Sequence, residues 1–186
     1  MELIKSIQYI NSFIWLLVPI KQFKTRFFLF FLFLGLLDPI YILFYNYIHI
    51  NSLYYYLYCA TILLYLILFN LKQKYRILLV LIFLIFSSVI LYYSPTQSLL
   101  LQILIHLIIF VVFLKVLIVY FSTHRKLLLF HLILIAYEFS ILLKYFVYFH
   151  ELQIGPAYYI VTTAFQILIG IFFIFFNEVH SPKLSM

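Results

Sequence analysis

The sequence predicts an all-α protein that crosses a membrane several times, and three observations carry that prediction. Of the 186 residues, 68% are hydrophobic and 9% charged. Mean hydropathy is +1.19, whereas a soluble domain needs a largely polar surface. The apolar residues fall into seven runs, roughly 6–20, 27–47, 52–70, 77–94, 98–121, 127–149 and 157–177, most of them near the ~20 residues of helix that a hydrocarbon core requires. The links between runs are short, and basic residues collect in every second one. The fold class is therefore a polytopic membrane helical bundle of seven transmembrane helices. No polar block is long enough for a second domain, so 1–186 reads as a single unit.

The links set the orientation. Lys21, Lys24 and Arg26 share one, Lys72, Lys74 and Arg76 another, and His124, Arg125 and Lys126 a third. The alternate links hold only His49, no basic residue at all (Ser94–Gln97), and His150 with Glu151. The positive-inside rule then puts the N-terminus outside and the C-terminus inside. An integral protein of a bacterial cytoplasmic membrane, surrounded by lipid, is the expected setting. The net charge of +7 serves topology, and nucleic acid is not an expected partner.

The first run is the shortest. Gln8 and Asn11 interrupt it and Trp15 suits an interfacial belt, so a tilted or interfacial segment is the alternative, favoured by Lys5. With links this short, sequential helices should be antiparallel neighbours. Pro39, inside the second run, should kink it or free the Gly35 carbonyl. Pro95 and Gly155–Pro156 mark turns on the outer side. The lone Cys59 excludes an internal disulfide and reads as a small buried hydrophobe.

Polar residues recur at one depth. Counting about 1.5 Å per residue from the basic links, Asp38 and Glu138 both lie about 18 Å up. Asn11, Gln166, Ser87, Ser88, Cys59 and His106 fall at about 15–22 Å by the same count. Facing supports the layer. Thr162, Thr163, Gln166 and Gly170 share a stripe, as do Gly35, Asp38 and Tyr41, Gln102 and His106, and His131, Glu138 and Tyr145. Interhelical hydrogen bonding accounts for the threonines and serines. A mid-membrane carboxylate is costlier: it needs a cation, water or a proton. Asp38, His106, Glu138, Gln166, Asn11 and Tyr41 are accordingly the candidate ligand- or proton-binding residues, with Lys144, His131, Lys115, Thr162 and Thr163 secondary. His106 is placed to bond one of the acids, and both acids are expected to face one cavity. Lys144 is expected to snorkel to the outer interface and Lys115 to the inner one. His131 reads as a core histidine or supporting donor.

Much chemistry is excluded. There is no glycine-rich phosphate loop, HExxH, GxSxG or paired acidic motif, so no catalytic residue, metal or cofactor is assigned and an enzyme is disfavoured. The seventh run, AYYIVTTAFQILIGIFFIFF, holds no lysine, which excludes a retinal Schiff base in the manner of microbial rhodopsins. Three functions fit what remains. The first is a permease for a small solute or ion, with a proton-titratable carboxylate layer. The second is a sensor or accessory subunit that binds a small or lipophilic ligand and acts through a partner protein. The third is a structural subunit of a membrane complex. A homodimer would strengthen the first. The topology itself is testable: reporter fusions at the two termini should signal opposite compartments, and agreement between them would leave six spans with a non-crossing first segment.

Overall fold

The computed structural model describes residues 2–49, 51–68, 72–93, 97–150, 152 and 155–185. Pro95, Glu151 and the Lys5 side chain lie outside that description. Seven helices occupy the seven apolar runs: α1 Glu2–Gln22, α2 Phe28–Ile48, α3 Ser52–Ile67, α4 Gln73–Tyr93, α5 Ser98–His124, α6 Leu129–Phe149 and α7 Gly155–Phe175. Five of these, α2 and α4 to α7, are long and apolar enough to cross a membrane, and α3 is a shorter apolar helix. The ends have local causes. The Asn51 side chain caps α3 by accepting from the Leu53 N–H at 2.9 Å. His49 and Arg125 end α2 and α5 in the left-handed conformation, each N–H returning to the carbonyl four residues earlier. Helix α2 runs on through Pro39.

Six helices close a ring in the order α1, α2, α3, α5, α6, α7 and back to α1, while α4 packs from outside on α3 and, less closely, on α5. Consecutive helices are thus all in contact, as expected, although α4 touches α5 only lightly and stands outside the ring. The first segment is well integrated: α1 makes the most extensive packing in the molecule, against α7, and then against α2. Small residues are the reason. A Cβ on Gly35 would collide with the Trp15 carbonyl oxygen, and one on Gly170 would meet Ile14 at 2.7 Å. Only glycine allows the two backbones to approach α1 this closely.

The ring is filled unevenly along its axis. Toward the end carrying the basic links, Phe27, Phe30, Phe31, Phe113, Phe130 and Phe173 are fully buried. Their rings meet at centroid distances from 4.8 Å (Phe31–Phe173) to 6.2 Å (Phe27–Phe113), within the range of favourable aromatic pairs. Trp15 lies above them, 4.6 Å from Tyr137 and 6.3 Å from Phe173. The outward faces, such as Leu81, Ile85 and Val89 on α4, are exposed and apolar, as lipid contact requires.

The basic end is tied shut by polar contacts. Leu127 and Leu128, read from sequence as the start of the sixth run, instead join Lys126 of the link in a strand β1 (Lys126–Leu128). It pairs antiparallel with β2 (Lys183–Ser185), in the register Leu127 to Leu184. The chain after α7 therefore folds back under the bundle. Ser181 Oγ accepts from the Phe130 N–H at 3.0 Å and the Pro182 carbonyl from the Leu129 N–H at 3.1 Å, which serve two of the first N–H groups of α6. Gln22 Nε2 donates to the Phe173 and Phe176 carbonyls, both at 2.9 Å. Glu178 takes three bonds: Arg26 donates to it through Nε (2.9 Å) and Nη2, and His131 Nε2 donates to it at 2.9 Å.

Burial would raise the Glu178 carboxyl, but the His131 and Arg26 hydrogen bonds, with the charges behind them, outweigh it and hold the group below its ordinary value. A carboxyl lowered by folding stabilises at pH above its unfolded value (~4.3), and the stabilisation is lost as pH falls through its folded value. Glu178→Gln should therefore cost ~0.5–1 kcal/mol at pH 7, the size of a partly exposed pair. The gap to the native protein should narrow as thermal denaturation in detergent is repeated at falling pH and the folded carboxylate takes up its proton. A gap that persists at low pH would show that charge is not what binds the tail.

Candidate functional site

Above the aromatic floor the ring encloses a cavity of about 1000 Å³, with walls from all six ring helices and none from α4. Ser52, Tyr148 and Leu152 on its rim are exposed, so it opens at the end opposite the basic links. The polar stripes read in the sequence form much of its wall. They face inward because the opposite faces of the same helices are isoleucine, leucine and phenylalanine.

Asp38 is half-buried on the α2 wall. Ser12 Oγ shares its one hydrogen between the Gln8 carbonyl at 3.0 Å and Asp38 Oδ2 at 3.2 Å, and the Tyr56 hydroxyl donates to Asp38 Oδ1 at 3.2 Å. Each oxygen keeps acceptor capacity. Lys144 stands on the α6 wall, where Nζ donates to Gln166 Oε1 at 2.6 Å and, more weakly, to Thr163 Oγ1 at 3.4 Å. Gln166 Nε2 passes the connection on to Ser140 Oγ at 3.2 Å, which donates to the Tyr137 carbonyl at 2.7 Å. This corrects the expectation that Lys144 snorkels outward. Its side of α6 faces α7, where two side-chain oxygens and the face of Tyr159, 5.5 Å from Nζ, replace water. No ion pair joins Lys144 directly to Asp38 among the described residues.

His106 Nδ1 lies 2.9 Å from Glu138 Oε2, and Glu138 is wholly buried. His106 is on the cavity wall and Glu138 is not, so the expectation that both acids face one cavity is corrected: the histidine stands between the second acid and the cavity. Whichever of the two atoms carries the proton of this contact, the bond ties α5 to α6. Tyr145, 5.3 Å from the His106 ring, covers it. Glu138 Oε1 is buried without a partner.

The remaining candidates divide. Asn11, Thr162 and Thr163 are on the wall; the Asn11 Oδ1 is unpartnered and Thr162 donates to the Tyr158 carbonyl at 2.9 Å. Tyr41 is not on the wall; it stacks behind it with Tyr55 and Tyr56 at 5.3 and 5.4 Å. Lys115 is exposed on the outside of α5. His131 lies at the basic end on Glu178, away from the cavity. Ser87 and Ser88 share the depth of the layer without reaching the cavity, because α4 is outside the ring. Sequence reasoning missed Ser12, Tyr56 and Ser140. Tyr56, Cys59, Ala60 and Leu63 form one cavity-facing stripe whose i, i+3, i+4, i+7 spacing carries the signal, hidden among the many tyrosines of α3. Among the described residues no cluster of three His, Cys, Asp or Glu is placed to hold a metal.

No family model, curated protein or solved structure matches the chain.

The His106–Glu138 contact gives a sharp expectation. Removing one member of a buried pair strands the other, at ~3–5 kcal/mol, whereas replacing both by apolar residues is close to neutral. His106→Leu alone should therefore lower thermal stability in detergent far more than His106→Leu with Glu138→Met. If the costs of the two substitutions simply add, the two side chains are not coupled.

Proposed function

We propose that the protein is a permease for a small solute, with the cavity as its binding site. The observation that carries this is the cavity itself: a ring of helices around about 1000 Å³, open at one end, closed at the other by packed phenylalanines, and lined by an acid, a lysine and several amides. Polar groups converging in a largely apolar pocket are the usual form of a small-molecule site, and ionisable residues at membrane depth mark solute or proton paths. In this reading all seven helices cross as one unit, and the N-terminus lies outside. The cavity then opens to the exterior of a bacterial cytoplasmic membrane, and Asp38, Lys144, Gln166, Asn11 and the threonines hold the solute. The His106–Glu138 pair stores the proton that such a carrier would exchange.

The runner-up is a sensor or accessory subunit acting through a partner. It is favoured by the β1–β2 pairing and the Glu178 contacts, which join the start of α6 to the tail beyond α7 and would convey motion of the cavity wall to the basic end. Cys59, the only cysteine, separates the two. It is on the cavity wall, so a membrane-impermeant thiol reagent should label it from the cavity mouth in intact vesicles. A permease exposes the same wall alternately to both sides, so inverted vesicles should label too, more slowly. Labelling from the mouth alone, in vesicles of both orientations, would refute transport and leave the sensor.

A further inference from the structure

The two unlike charges of the cavity wall form no ion pair with each other, and each is already oriented. Asp38 receives Ser12 and Tyr56, and Lys144 is fixed by Gln166 and Thr163. Apart from His106, which is hydrogen-bonded to Glu138 behind it, the described wall carries one carboxylate and one cation. We infer that the cavity binds an ammonium–carboxylate zwitterion of the amino-acid and dipeptide class, its ammonium on Asp38 and its carboxylate on Lys144. The inference rests on reading the cavity as a solute site, and it names the solute's chemistry.

Charge balance is the main argument. A protein wall with one charge of each sign in a low-dielectric surround is neutral as a whole. A ligand bearing a single charge would pair one wall group and leave the other facing a desolvated space. A neutral ligand would leave both. A zwitterion gives each wall charge a partner and leaves the sum at zero. Anions with several charges, such as phosphates, would meet a single lysine. The polar surroundings agree, because buried acceptor atoms still lack partners on the same wall: Gln102 Oε1, on a side chain only 1% exposed, and Asn11 Oδ1. An ammonium has three donors to place and Asp38 alone does not use them all. The apolar part of the ligand has Trp15, Leu34 and Leu63 to rest on. The volume is at the upper end of small-molecule pockets, which is why a dipeptide belongs to the class beside a single amino acid.

Trp15 supplies the measurement. It is the only tryptophan in the chain and lies on the cavity wall, so its emission reports occupancy without a transport assay. Purified full-length protein in detergent would be titrated with L-leucine and with L-leucyl-L-leucine. Each would be compared with its methyl ester, which keeps only the ammonium, and its N-acetyl form, which keeps only the carboxylate. The expected result is a saturable change in emission with at least one zwitterion, and binding roughly tenfold or more weaker for both of its blocked forms, about 1.4 kcal/mol per decade. Lys144→Met should abolish the preference over the ester, and Asp38→Asn the preference over the N-acetyl form. Because the ligands are altered as well as the protein, the test stands even if a variant does not fold. A blocked form that binds as tightly as its parent, or no saturable response to either zwitterion, would overturn the inference. Two-sided labelling of Cys59 is independent of that outcome: a permease with another solute would keep the labelling and fail here, while an amino-acid sensor would do the reverse.

Discussion

An ionisable side chain in the middle of a lipid-clad bundle has few stable options. Water is remote, the local dielectric is low, and a lone charge there costs several kcal/mol. This constraint organises the half of the molecule that surrounds the cavity. Glu138 meets it with a hydrogen bond to His106 on the adjacent helix. Asp38 meets it with two hydroxyl donors and a cavity on its open side. Lys144 meets it with a glutamine and a threonine from α7. Each solution takes its partner from a different helix, tying α1, α2 and α3 into one set and α5, α6 and α7 into another. The Gln102 bond to the Leu53 carbonyl joins α5 to α3, and the Gln22 bond to the Phe173 carbonyl joins α1 to α7. The helix that carries none of these groups, α4, is the one left outside.

The same demand explains why the ring is tightest around α1. The Ser12 bond to Asp38 requires α1 and α2 to approach closely, and Gly35, one turn below Asp38, removes the Cβ that would prevent it. Gly170 does the same for α7 one turn below Gln166. Two glycines thus allow α1 to lie between two polar stripes, and Trp15 fills the space beneath, against Tyr137, Phe31 and Phe173. Polar wall above and aromatic floor below are two consequences of one close approach.

Composition and periodicity were enough to recover seven helices and the inward stripes, because a 3.6-residue pattern and a hydrophobic run are local properties of the chain. Depth counting also placed Asp38 and Glu138 at one level. What it could not supply was azimuth. Whether Glu138 reaches the cavity or stops behind His106 depends on how α6 is rotated against α5, and no local pattern encodes that. Lys144 was misread for the same reason: a lysine near a helix end snorkels by default, and only the presence of Gln166 and Thr163 across the groove turns it inward. The displacement of α4 was equally hidden, since Ser87 and Ser88 sit at the right depth on a helix that adjoins the ring from outside. The returning tail was invisible because three residues of strand carry almost no periodic signal, and the Arg26–Glu178 pairing joins residues at opposite ends of the chain.

The two ends of the bundle resist motion by different physics, and that bears on how a cavity sealed at one end could ever open there. The floor is made of phenylalanine pairs, each contributing ~0.5–1.5 kcal/mol beyond burial, and apolar contacts of this kind are weakly directional. Phe31, for example, touches Phe30, Phe130 and Phe173 at once, so a small sliding of one helix exchanges some contacts for others. The layer beneath is directional. Gln22 on α1 bonds two carbonyls at the end of α7, Glu178 holds Arg26 and His131, and β2 is hydrogen-bonded to β1. None of these bonds survives a shift of more than about 1 Å without a new partner. Under the permease reading the polar layer at the basic end, rather than the aromatic floor, sets the barrier to opening on that side. Under the sensor reading the same layer is where a rearranged cavity wall would be felt. On either reading the cavity wall would select the ligand, and the contacts of the tail would decide what its binding could move.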